Sequence, residues 1–275
     1  MKWRVFLFIS LSLIFIDTCR ADTVEKIAGG FQFTEGVVQN KKGEIFFTDV
    51  PANRIHKIDV NGNSSVYLEN SGSANGLALD ASDHLLACEQ SKHRISRLKE
   101  NAAAETLAQN FNGTPLNSPN DLCVAANGDV YFTDPAWNPD GSGRSGFYVI
   151  HENELQKISG DFLIPNGVAL SPDEKTLYVG DTAQNRVFAY SLPLHDKSRL
   201  FAKVTSPDGF AVDKKGRLYV AQFGVGQVQI FDIAGQAIRS ISLPEKAVSN
   251  CALSADNKTL FVTAGHSLYG ISLED

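Results

Sequence analysis

Only four cysteines and a single methionine occur in 275 residues. Cys19 falls in the first segment of the chain, which leaves Cys88, Cys123 and Cys251. These three form no CxxC pair and no Cys/His spacing of a zinc site, so thiol redox motifs and structural zinc are excluded. Cys88 and Cys123 sit in apolar strand runs and are expected as buried thiols, although one disulfide among the three remains open. Basic residues are also few. Lys and Arg total 25 against 31 Asp and Glu, a net charge of −6, and no basic stripe exists for nucleic acid to follow. Gly-x-Ser-x-Gly, P-loop and dinucleotide fingerprints are missing. His56, His84, His93, His151, His195 and His266 are scattered over outer strands and loops, which leaves a histidine-based triad without a home.

Long apolar runs are absent too, with one exception. Val5–Ile16 is apolar but too short to span a bilayer. Lys2 and Arg4 precede it, and Cys19-Arg20-Ala21 supplies small residues at the third and first places before a cut. Residues 1–21 therefore read as a cleaved signal peptide, and the mature chain 22–275 as a secreted or periplasmic protein without a membrane anchor. Losing Lys2, Arg4, Arg20 and Asp17 takes the net charge to about −8.

What the chain has in abundance is a repeat. Asn120-Asp121-Leu122-Cys123-Val124, a turn at Asn127-Gly128, and Val130-Tyr131-Phe132-Thr133-Asp134 make a strand–turn–strand unit. The same unit opens at Glu35, Asn75, Asn120, Asn166, Asp208 and Ser249, a period of about 42 residues. Further strands with period-2 alternation follow, such as Arg54–Asp59 and Gln227–Phe231. Four strands per repeat and six repeats predict an all-β, six-bladed propeller in one domain. The last repeat lacks a fourth strand. Thr23–Ala28 is expected to supply it by pairing with Ser267–Leu273, which removes an open sheet edge.

The six opening residues start the innermost strands and ring one mouth of the central channel. They comprise two carboxylates, three amides and a hydroxyl. Hard oxygen donors in a loose ring suit a divalent cation, Ca²⁺ above Mg²⁺ or Zn²⁺. The alternative is that Asn-Gly and Asp-Gly merely turn the chain, which accounts for Asn75 but not for Glu35-Gly36. A second polar set closes the hairpins: Asp49, Glu89, Asp134, Asp181 and Gln222, with Ala264 breaking it. These either add acid to the mouth or cap loops by binding backbone N–H groups.

Phe33-Thr34-Glu35-Gly36, Ser118-Pro119-Asn120-Asp121, Tyr131-Phe132-Thr133-Asp134, Pro165-Asn166-Gly167-Val168-Ala169-Leu170-Ser171 and Pro207-Asp208-Gly209 occur in this order across the chain. In these motifs it resembles the family of senescence marker protein 30, gluconolactonases and luciferin-regenerating-enzyme-like proteins. The resemblance implies a six-bladed propeller that holds a divalent cation, usually Ca²⁺, and hydrolyses a small lactone. By motif match Glu35, Asn166 and Asp208 resemble direct metal ligands. Asn120 resembles a metal or substrate contact, and Asp121 or Asp208 the acid–base group, with Asp121 the first choice. Asp134, Trp137 and Arg144 are expected on the substrate side, the last two in the Gly-rich stretch 135–146 that overhangs the mouth. Two positions depart from the family. Val37 stands where Pro is usual, and Ser118-Pro119 stands where animal members place an Arg that binds sugar hydroxyls. The competing reading is a non-catalytic propeller, stiffened by Ca²⁺, that binds a peptide or glycan.

Overall fold

A computed structural model describes residues 23–99, 103–137, 145–158, 161–193 and 198–273. The expected leader 1–21 and Arg144 lie outside the described residues. Six four-stranded antiparallel sheets form the blades of a propeller. From the axis outward, blade 1 runs through Thr34–Gln39, Ile45–Asp49, Arg54–Ile58 and Ser64–Glu69. The inner strands of blades 2 to 6 are Ala74–Leu79, Leu122–Val124, Pro165–Leu170, Pro207–Val212 and Val248–Leu253.

Blade 6 closes as expected. Val24–Gly29 is its outermost strand and pairs antiparallel with Ser267–Ser272, Val24 opposite Ile271 and Gly29 opposite Ser267. The ring is thus joined by the two ends of the chain. One short ladder, Asn110–Phe111 with Thr114–Pro115, lies outside the repeat. Two-residue strands carry too few residues to show any alternation.

The cores are the spaces between blades, because each sheet buries both faces against its neighbours. Six apolar clusters result, one at each interface. Phe47 and Ile45 of blade 1 meet Phe261 and Leu268 of blade 6, for example, and Phe132 and Tyr148 of blade 3 meet Leu86 and Ile95 of blade 2. Cys88 and Cys251 are buried and Cys123 is half-buried, and all three are free thiols.

The inner strands are laced to one another across the blades near the mouth. Thr48 Oγ1 donates to the carbonyl of Asn75 at 2.9 Å, and Thr133 Oγ1 to that of Asn166 at 2.7 Å. Gly76 N donates to the Asn120 carbonyl at 2.7 Å. This close approach explains the glycine after the openers of blades 1, 2, 4 and 5. A Cβ on Gly36 would lie 2.2 Å from the Asn75 carbonyl oxygen, and one on Gly167 2.1 Å from that of Asp208. Asn75-Gly76 is therefore no turn. It lies inside a strand, at a register shift between Ala74 and Leu77. Asn127-Gly128, by contrast, turns the chain, with φ of 94° at Gly128.

Candidate active site

All six openers, Glu35, Asn75, Asn120, Asn166, Asp208 and Ser249, are buried polar side chains at the starts of the inner strands. The register shift that each full-length inner strand carries at this point re-aims the side chain beside it. Glu35 accepts hydrogen bonds from Gly36 N and the Asn75 side chain. Asp208 accepts one from Asn166. The Asn166 amide nitrogen also donates to Thr182 Oγ1 at 3.2 Å. That leaves the amide oxygen as the end of Asn166 that a cation can use.

Burial raises both carboxyls well above the ordinary range; the charges of Asp208 and then Asp121 raise Glu35 further, and that of Asp121 raises Asp208. Among the described residues neither forms an ion pair, and no three His, Cys, Asp or Glu side chains converge as a metal group. The donor set is instead two carboxylates flanked by neutral amides. Buried charge of one sign without a cationic partner is costly, and a hard divalent cation is the species that satisfies both carboxylates and amide oxygens. The residues present fit such an ion.

The sixth opener, Ser249, lies at the position the spacing gives it, but its side chain does not join the ring. Ser249 turns its Oγ away from the lumen, 2.7 Å from the Thr34 carbonyl and 3.1 Å from Thr263 Oγ1. The residue of blade 6 that faces the axis is Asn250, which the sequence argument passed over. It occupies the column held by glycine in blades 1, 2, 4 and 5, and Asp121 holds the same column in blade 3. Two side chains at a column otherwise reserved for glycine, three blades apart, were the available signal. They meet across the axis: Asp121 accepts from the Asn250 side chain, from Leu122 N and from Val168 N. This bridge caps a tunnel of about 420 Å³ that opens toward the other end of the propeller, lined by Leu79, Val124, Leu170, Val212 and Leu253. Burial pushes the Asp121 carboxyl up to about 7.

Asp134 is not brought to the lumen. It is fully buried, accepts from Asn117 N at 2.8 Å and Ser118 N at 2.7 Å, and so anchors the segment that leads to Asn120. Asp49 does the same for Gln32 and Phe33, and Asp181 for Leu163 and Ile164. Glu89 binds Arg94, Lys92 and Ser96 instead. Asp49, Asp134 and Asp181 are thus loop anchors, for the plain reason that two free N–H groups lie within reach of each of these carboxylates. Trp137 does stand at the mouth end and is exposed. The position of Arg144 falls outside the described residues.

The SMP-30/Gluconolactonase/LRE-like region matches residues 33–266. The chain belongs to this family. Among its relatives is a gluconolactonase of Zymomonas mobilis, 30% identical over 89% of this chain and 80% of that protein. A 6-deoxy-6-sulfogluconolactonase of Pseudomonas putida is 26% identical over 80% of this chain and 78% of its own. The solved structure of a gluconolactonase from Xanthomonas campestris superposes with a TM-score of 0.84 at 31% identity, covering 92% of this chain and 90% of that one. A calcium-binding regucalcin from Agrobacterium tumefaciens shares the fold, with a TM-score of 0.80 at 19% identity over 92% of this chain and 96% of its own.

Proposed function

We propose that this protein is a lactonase, a hydrolase that opens a small lactone at the mouth of the propeller with the help of a divalent cation, Ca²⁺ by preference. The observation that carries the reading is the pair of buried carboxylates, Glu35 and Asp208, partnered only by amides. Membership of a lactonase family supports the reaction class. Glu35, Asp208 and the Asn166 amide oxygen would hold the cation, with Asn120 beside them as a further contact to metal or substrate. When bound, the ion supplies a Lewis acid that polarises the lactone carbonyl and stabilises negative charge developing on its oxygen.

The remaining steps belong to the chain. A water oxygen bonds to the carbonyl carbon, the ring C–O bond breaks, and the proton lost by water ends on the released alkoxide, which gives a hydroxy acid. A carboxylate must carry that proton. Asp121 has the more suitable titration range, but three donors fix its oxygens and it faces the tunnel behind the mouth. Asp208 accepts only from Asn166 and belongs to the mouth, so the proton-carrying role passes to Asp208.

Purified residues 22–275 should hydrolyse at least one lactone in a panel of aliphatic, aromatic and sugar lactones. Chelation with EGTA should abolish turnover, and Ca²⁺ should restore it. Calcium at a hundredfold excess over its Kd should stabilise the fold by about 2.7 kcal/mol. An untouched melting temperature together with no turnover on any lactone would sink the reading. Export rests on residues 1–21 alone, and N-terminal sequencing of the protein recovered outside the cytoplasm would test the cut after Ala21.

A further inference from the structure

The mouth is not equally polar all the way round. At its opener and hairpin end blade 6 offers the mouth neither an amide nor a carboxylate: Ser249 bonds the Thr34 carbonyl and the hairpin end is Ala264, while Glu245 and His266 beside them are taken up by His266 N, Tyr269 and the Phe31 carbonyl. Above this sector two aromatic side chains from different blades touch. Phe33, from the segment entering blade 1, and Phe223, from the loop leaving the second strand of blade 5, have ring centroids 6.2 Å apart at 65°. They span blade 6.

Their attachment ties them to the two carboxylates. Phe33 stands two residues before Glu35. Phe223 N donates at 3.0 Å to the carbonyl of Ser206, two residues before Asp208, and Phe223 also bridges to Ala247 of blade 6. The aromatic pair therefore overhangs the arc of the mouth that runs from Asp208 to Glu35. Phe223 is 42% exposed and Val225, on the same loop, 41%. Scattered exposed apolar residues are ordinary. Here, however, the two aromatic side chains counted as exposed among the described residues, Phe223 and Trp137, both stand at the mouth end.

Among the described residues several cationic groups near the rim are already engaged, while Lys246, next to Ala247, is exposed. Lys92 pairs with Glu89, and the rings of His93 and His266 bond to the carbonyls of Asn117 and Phe31. A polyhydroxylated lactone lying along the blade 6 arc would set its hydroxyls against two phenyl faces, where they lose water without gaining partners.

We infer that the substrate is a lactone carrying an apolar alkyl or aryl substituent, with the substituent against Phe33 and Phe223 and the ring carbonyl toward Glu35 and Asp208. This rests on the lactonase reading above and adds a substrate class to it, one different from the sugar lactones for which the relatives are named.

The test compares kcat/KM for δ-valerolactone, δ-decalactone and glucono-δ-lactone in wild type and Phe223→Ser. Phe223 sits on an exposed loop between Gln222 and Gly224, and a melting curve checks that the variant is folded. Wild type should prefer δ-decalactone to δ-valerolactone by about tenfold or more, since its pentyl chain buries several methylenes. Phe223→Ser should cut the δ-decalactone value by about tenfold more than the δ-valerolactone value. Preference for glucono-δ-lactone, or an equal loss on both aliphatic substrates, would overturn the inference while leaving the lactonase reading intact. No turnover on these three or on any other lactone of the panel, with Ca²⁺ present, would remove the lactonase reading and the inference with it.

Discussion

At the scale of single residues, the site separates two aspartates that the sequence placed side by side in role. Asp208 bonds Asn166 and repels Glu35, whereas Asp121 bonds Asn250 across the axis, close enough that its charge still raises both of the other carboxyls. Asp208→Asn should therefore lower kcat by roughly 10²–10⁴-fold and weaken Ca²⁺ binding as well. In the metal-free protein it should raise the melting temperature, because one of three mutually repelling buried carboxyls, Glu35, Asp121 and Asp208, is gone. Asp121→Asn keeps an acceptor for Asn250 and should cost less than about tenfold in kcat, well below the general-base range. A loss of hundredfold or more in Asp121→Asn, with calcium affinity intact by titration calorimetry, would return the proton-carrying role to Asp121.

At the scale of the element, the hairpins of blades 1, 3 and 4 carry their own fastening. The carboxylate at the end of the second strand, Asp49, Asp134 or Asp181, binds the two N–H groups just ahead of the first, so the opener is held at a fixed height in the channel. Blade 3 depends on this most, since its inner strand has three residues where the other blades have six. Asp134→Ala leaves the partly buried Asn117 N and Ser118 N without acceptors and should destabilise the fold by about 1–3 kcal/mol, read by urea unfolding. Asp134→Asn, which keeps one acceptor oxygen, should lose less. Equal losses in both would mean that the carboxylate does not hold that segment.

How much of this could be read beforehand depended on which contacts are local. The repeat, the six openers and the closing strand Thr23–Ala28 follow from spacing, and the structure has them. The roles of Ser249, Asn250 and Asp134 do not follow from spacing. A serine and an asparagine in sequence both look like openers, and only the register shift between Val248 and Asn250 decides which faces the axis. The fate of Asp134 turned on two N–H groups more than fifteen residues away. The Phe33–Phe223 contact joins blades 1 and 5, and no local pattern announces it.

At the scale of the whole molecule, the ring stands on one strand supplied from the far end of the chain. Val24–Gly29 covers the edge of Ser267–Ser272, while Ile27 and Ala28 pack into the cluster of Phe47, Phe261 and Leu268. Removing residues 22–29 exposes that edge and thins the seam between blades 6 and 1. The truncated chain should melt several degrees lower and self-associate through the open strand. An unchanged melting temperature with a monomeric elution profile would contradict this.

The same closure dictates an order of events during folding. Blades 1 to 5 are each built from neighbouring stretches of chain and can form as they emerge, but blade 6 must wait for a partner made first and held in reserve. Its last pairing, Val24 with Ile271, bridges almost the full length of the chain, and contacts of that kind are slow to form. A circular permutant that begins at Phe31 and carries Thr23–Gly29 after Leu273 would turn that distant pairing into a hairpin. Its refolding should be faster than that of the natural order, which leaves an unfinished, sticky edge exposed until synthesis is complete.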